Sequence, residues 1–166
     1  HDELLISENN QKIANNYRSK VKKITFLNQK DFKKLYGSEK STQGILLKTK
    51  DFERPSLERF LKNENSYDKS VLLALDQITD PQNIGSIMRS CALFNCKGIL
   101  VAKDNAPDLT PSLYKAASGA AEIVNYFRVT NLKRSISQLK KYGYWAYGFD
   151  SSNNQNSSNL NFSKKS

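Results

Sequence analysis

Apolar positions in the second half of the chain alternate between short continuous runs and helical stripes. Val71–Leu75 is an apolar run of strand length. Ile84, Ile87, Met88, Cys91 and Phe94 then recur at helical spacing through Asn83–Asn95. Gly98–Ala102 reads as the next strand and Lys103–Pro111 as a turn-rich loop. A short helix over Leu113–Ala117 follows, then a strand over Ile123–Phe127. Asn131–Lys141 is amphipathic, with Leu132, Ile136 and Leu139 on one face and Gly143 as its stop. Tyr144–Phe149 reads as a fourth strand. Strands alternating with helices predict a mainly parallel sheet covered on both faces.

The first part is less regular. Ser7 is placed to cap a polar helix running to about Ser19, and Lys23–Leu27 reads as a short strand. Asp31–Tyr36 reads as a helix with Gly37 as its stop, and Gly44–Leu47 as a compact strand. Lys48–Asp68 mixes charges with Pro55 and holds a short helix around Leu57–Leu61, so it reads as a connector. The expected organisation is a unit over residues 1–48, a linker over 49–68 and a larger α/β unit over 69–166. Ser151–Ser158 is almost entirely Ser, Asn and Gln, which predicts a loop with little apolar surface to bury.

Charge changes the picture more than length does. The formal net charge is +10, with 14 basic against 10 acidic residues up to Asp68 and 12 against 6 beyond it. Such an excess favours an anionic partner, nucleic acid first. No apolar run is long enough to span a bilayer and no signal-peptide pattern opens the chain, so a cytoplasmic protein is expected. Cys91 and Cys96 lack the paired spacing of a zinc site, and the only histidine is His1. No metal is therefore expected, and a Ser-His-Asp or Cys-His mechanism is excluded for the residues of this chain.

The junction Leu75–Ser90 concentrates the chemistry. A strand feeds a helix there, turning at Asp80-Pro81, and open α/β sheets bind ligands at such carboxyl ends. Neither GxGxxG nor GxxxxGK[ST] follows the strand, which argues against an ordinary α/β nucleotide-binding module.

Asp80-Pro81-Gln82-Asn83-Ile84-Gly85-Ser86-Ile87-Met88-Arg89-Ser90 resembles the first motif of the SpoU (TrmH-like) branch of the SPOUT methyltransferases, D-P-x-N-[LIV]-G-x-x-x-R-[ST]. Lys115–Glu122 resembles the family's K-x-[AS]-x-G-A-[AS]-E segment, and Val129-Thr130-Asn131-Leu132 its V-T-N-L. More weakly, Gln43-Gly44-Ile45-Leu46-Leu47 resembles the segment closing an L30e-like substrate-binding domain, with Thr42 in place of the usual His. The resemblance implies a partial L30e-like domain, lacking its first strand and helix, before a mainly parallel α/β SPOUT domain. The glycine- and glutamate-containing motif and the S-L-N motif of the family's trefoil knot do not occur in the chain, so that knot segment is expected to be lacking.

By the same resemblance the activity is methylation of a ribose 2′-hydroxyl in RNA, ribosomal RNA above all, from S-adenosyl-L-methionine by a homodimer. The alternative is a non-catalytic RNA-binding fragment without the cofactor half. Arg89 would orient the target phosphate and assist deprotonation electrostatically, since a guanidinium stays protonated; otherwise it is a surface or phosphate-binding arginine. Asn83 would shape the site or cap the helix. Gly85, with Ser86 beside it on the substrate side, would leave room for the arginine or ribose, or pack closely against a strand. Ser118 and Gly119 would allow a tight backbone approach at the substrate cleft or dimer interface, or simply end a helix. Glu122 would anchor structure through backbone or arginine hydrogen bonds. Gly148 and Phe149 would border the cofactor pocket, or form an ordinary strand-to-loop turn.

Overall fold

The computed structural model describes residues 3–36, 44–49, 53–63, 69–149 and 161–166. Gly37, Thr42, Gln43 and the Ser151–Ser158 stretch lie outside them. The chain forms two compact units, His1–Glu53 and Arg54–Ser166.

The first unit is built on β1 (Glu3–Ser7), flanked by β2 (Lys23–Leu27) in parallel and β3 (Ile45–Lys48) antiparallel. Leu4, Ile6 and Ala14 form its core, with Val21, Ile24 and Ile45 against them. β1, a strand the sequence pattern does not predict, is thus the central strand. The polar helix expected over Ser7–Ser19 is reduced to a 3-10 turn (Glu8–Asn10) and α1 (Gln11–Ala14). Only Ala14 is buried there, so no apolar stripe exists to carry the helix further. α2 (Gln29–Tyr36) follows β2. Gly44 holds a φ of +74° while its carbonyl accepts from Ser7 N–H at 2.8 Å, a conformation that favours glycine. Lys23 and Thr25 both donate to the Glu3 carboxylate, at 2.8 and 2.7 Å, and hold that carboxyl below its ordinary range.

The second unit carries the parallel sheet, order β4 (Leu72–Leu75), β5 (Gly98–Ala102), β6 (Asn125–Val129). α4 (Pro81–Leu93) and α5 (Pro111–Ala117) cover one face, where Ile84, Met88, Cys91, Leu113 and Ala117 bury Ile99, Val101 and Tyr126. α3 (Leu57–Asn63) and α6 (Leu132–Lys141) cover the other, where Leu57, Phe60, Leu61 and Leu139 meet Leu72, Leu100 and Phe127. The alternation Ile99/Leu100/Val101 and Tyr126/Phe127 between the two clusters is the strand period of two. This is a mixed α/β fold with a parallel sheet.

Three expectations are corrected. Residues 54–63 of the stretch read as a connector fold into the second unit, because Leu57, Phe60 and Leu61 complete its core. The strand expected at Ile123 starts at Asn125: a 3-10 turn (Ala120–Glu122) comes first, and Asn125 pairs opposite Gly98 while its amide donates to Lys97 O at 2.8 Å. Tyr144–Phe149 is not a strand. The place beside β4 is taken by the last residues: Ser70 N–H donates to Lys164 O, Ser166 N–H to Ser70 O and Leu72 N–H to Ser166 O. Trp145 N–H bonds outside them, to Lys165 O at 2.9 Å. Tyr144 instead buries its ring and shares a 2.7 Å hydrogen bond with Ser70.

Candidate nucleic acid facing site on the first long helix of the parallel sheet unit

The carboxyl end of β4 leads into α4. Strands advance from β4 to β6 with α4 and α5 on one face, while α6, after β6, packs on the opposite face. The carboxyl ends of parallel strands are where such sheets bind ligands.

α4 starts at that end. Asp80 is extended and its carboxylate accepts from the N–H groups of Gln82 (3.2 Å) and Asn83 (3.3 Å), with Pro81 at the first helical position. Asp80, not Asn83, is therefore the cap, and the Asn83 side chain is released for other use. Asn83, Ser86 and Arg89 follow at intervals of three, each stepping about 60° around the helix, so they form one exposed strip. Among the described residues, none of these three side chains has a hydrogen-bond or ion-pair partner. Ile84, Gly85, Met88 and Cys91 form the opposite, buried face.

Gly85 is placed by packing. A Cβ there would lie 2.8 and 2.9 Å from the backbone of Ala116 and Ala117 and closer still to the Ala116 methyl. The missing side chain thus admits the α5 backbone, and the close neighbour is a helix, not a strand. That contact brings the end of α5 beside the strip. Ser118 (φ 48°) and Gly119 (φ 90°) end the helix, with Ser118 N–H bonded to Tyr114 O at 3.1 Å. Both are exposed, and no atom stands within 4 Å of a Cβ built on Gly119.

Glu122 is exposed and makes none of the expected anchoring bonds among the described residues. Arg54 does that work, donating to Ala121 O (2.7 Å), Tyr114 Oη (3.3 Å) and Val124 O (3.5 Å). Sequence reading missed Arg54 because its partners lie 60 to 70 positions away. Arg128 is likewise committed, to the Asp108 carboxylate, Lys103 O and Ala106 O. Tyr126 donates to Pro107 O at 3.0 Å, and burial raises its phenol from 10.0 to about 12.

Gly148 and Phe149 lie in a segment that is neither helix nor strand. Gly148 has nothing within 4 Å of a Cβ position, and Phe149 is 69% exposed, stacked on Phe162 at 6.5 Å. Both are exposed. No group of three or more His, Cys, Asp or Glu among the described residues could hold a metal ion. No described helix is long and apolar enough to cross a membrane.

The second unit thus presents Asn83, Ser86 and Arg89 from one helix at the carboxyl end of a parallel sheet. Residues 70–166 match the SpoU rRNA Methylase family, and the chain belongs to that family. It is 34% identical over 119 residues to YacO of Bacillus subtilis (strain 168), assigned to the TrmH family of tRNA/rRNA methyltransferases, a match covering 71% of this chain and 48% of that protein. It is 42% identical over 89 residues to the 23S rRNA (guanosine-2′-O-)-methyltransferase RlmB of Neisseria meningitidis serogroup B, covering 54% of this chain and 36% of that one. The chain thus spans about half the length of the first of these relatives. Among solved structures, the SpoU methyltransferase AviRb of Streptomyces viridochromogenes superposes with a TM-score of 0.62 at 19% identity, over 85% of this chain and 51% of that one. An AdoMet-bound form of AviRb gives 0.60, over 84% and 50%. At that identity the likeness concerns the fold.

Proposed function

We propose that this chain supplies the RNA-handling side of an S-adenosyl-L-methionine-dependent ribose 2′-O-methylation, with ribosomal RNA as substrate. The observation that carries the reading is the exposed strip Asn83–Ser86–Arg89, without partners among the described residues, at the carboxyl end of β4 in a SpoU-family sheet. A ribose hydroxyl is a weak acid, and methylating it requires the oxygen to be aligned and its developing charge stabilised. Arg89 holds the adjacent phosphate and supplies that charge as a fixed cation. Asn83 and Ser86 position the ribose, and Ser118 and Gly119 let the RNA backbone approach the end of α5. The first unit serves as a partial L30e-like RNA-grasping domain, and the working protein is a cytoplasmic homodimer. The methyl donor supplies the electrophilic carbon. Gly148 and Phe149 would border it.

The test is transfer of labelled methyl groups to ribosomal RNA, read as alkali-resistant 2′-O-methylated dinucleotides. Arg89→Ala is expected to lower the rate about 100-fold or more, and equal rates in the two proteins would remove Arg89 from the reaction. The net charge of +10, which suits RNA with or without a methyl donor, favours a second reading, a non-catalytic RNA-binding chain. Calorimetry with S-adenosyl-L-methionine separates them: binding heat supports the enzyme, whereas RNA binding without it supports the second reading.

A further inference from the structure

On the side of the sheet away from α4, a cavity of about 930 Å³ runs along β6, between the start of α3 and the outer side of α6. β6 is the edge strand, and α3 and α6 pack on the face opposite α4 and α5. Five cationic side chains line this groove (Arg54, Lys103, Arg128, Arg134 and Lys141) against one acidic residue, Glu58. Arg54 and Arg128 are already held by backbone carbonyls and Asp108, so they set the groove's shape and background charge. Lys103, Arg134 and Lys141 are exposed and have no carboxylate partner among the described residues.

We infer that this groove is a second RNA-binding surface, distinct from the Asn83–Arg89 strip, in which Lys103, Arg134 and Lys141 contact consecutive phosphates of the substrate's backbone. Charge complementarity carries the choice of occupant. Lysine and arginine ends that no protein carboxylate neutralises bind polyphosphate by releasing its counterions, with no need for base recognition. The inference rests on the chain's being an RNA-binding protein, but it concerns different residues on the opposite face. Its place is to fix the register of a long substrate while the α4 strip handles one ribose.

The experiment measures binding of a fluorescent single-stranded 24-nucleotide RNA by anisotropy, from 50 to 300 mM salt. Three proteins are compared: the wild-type chain, Lys103→Gln/Arg134→Gln/Lys141→Gln, and a control with the same charge change elsewhere, Lys62→Gln/Lys69→Gln/Lys164→Gln. Each phosphate contact on a single strand contributes about 0.7 to the salt slope. The groove variant should therefore lose about 2 from the slope and roughly 100-fold in affinity at 0.1 M salt, with the control within about threefold of wild type. A groove variant that behaves like the control overturns the inference while RNA binding by the chain stands. A wild-type chain that does not bind RNA overturns both. Polyglutamate of equal charge, bound as tightly as RNA and lost equally in the groove variant, would make the occupant an acidic peptide and overturn RNA. Circular dichroism of the three proteins shows that all are folded.

Discussion

The two faces of the parallel sheet cover similar strands with different helix packings. On the α4–α5 face the helices meet at backbone level: Gly85 lies against Ala116 and Ala117, and Ile84, Met88, Cys91, Leu113 and Ala117 close the core. On the α3–α6 face, bulkier residues meet the sheet, Phe60 against Phe127 at 5.2 Å between ring centroids, and a groove remains along β6. The tight face holds α4 close against α5, with Asn83, Ser86 and Arg89 on the helix's outer side. The looser face leaves a charged channel. Positioning chemistry and holding a polymer call for these different qualities.

The largest way to break that contrast is to force the tight face apart. In Gly85→Val the new Cβ lands within 2.9 Å of the Ala117 backbone nitrogen, and neither helix can yield without moving. The expected loss is about 3 kcal/mol or more, read from the urea midpoint by far-ultraviolet circular dichroism. A midpoint within about 0.5 kcal/mol of wild type would mean that the two helices are not in backbone contact.

The next effect belongs to the edge strand, where the tight core and the groove share Tyr126. Burial raises its phenol to about 12, with nearby Arg128 lowering it and Asp108 raising it by smaller amounts. The unfolded chain therefore releases this proton first. The contribution is complete below about pH 10 and is lost as pH rises to about 12, amounting to roughly 2–3 kcal/mol. Cys91, raised from 9.0 to about 12 chiefly by burial, acts in the same direction. The readout is therefore the difference between wild type and Tyr126→Phe in the pH dependence of unfolding. The variant should lose less stability than wild type between pH 10 and 12, and parallel curves would place Tyr126 in water.

How much of this was legible in the sequence differs between the regions in the same way as their packing. β5 was readable to the residue, because Gly98–Ala102 is apolar on both faces and bounded by turns. α4 and α6 were readable from their stripes, and the Asn83–Arg89 strip from its motif. Local pattern could not show that Gly85 admits a helix backbone, since that depends on Ala116 and Ala117, which are apolar residues like many others. Nor could it show that Tyr144–Phe149 stands aside from β4, because the competing segment is Lys164–Ser166, a polar run with no strand signal. The groove was invisible for the same reason: Lys103, Arg134 and Lys141 belong to separate elements that only the fold assembles. β1 was missed because Glu3–Ser7 is short and is set in the sheet centre by partners some 20 and 40 positions on.

A smaller effect sharpens the tight face. Asp80→Ala removes the acceptor for two N–H groups at the start of α4 and should cost about 1 kcal/mol. It should also loosen the first turn, which carries Asn83. Amide hydrogen exchange checks this: faster exchange at Gln82 and Asn83, with Met88 and Cys91 unchanged, is the expected result. Uniformly faster exchange along the helix would show that Asp80 supports more than its cap.

The smallest stability effect separates the two faces by function. Arg89 and the groove residues Lys103, Arg134 and Lys141 are exposed and without carboxylate partners among the described residues, so removing them should shift the unfolding midpoint by no more than about 0.5 kcal/mol. Their losses should then divide by kinetic parameter. A cation used at the reacting ribose stabilises the transition state, so Arg89→Ala falls mainly on kcat. Cations that hold distant phosphates bind ground and transition states alike, so the groove triple variant falls mainly on KM for RNA. If both variants lowered kcat together with unchanged KM, the division of labour between a tight positioning face and an open holding face would be wrong. The groove would then belong to the chemistry itself.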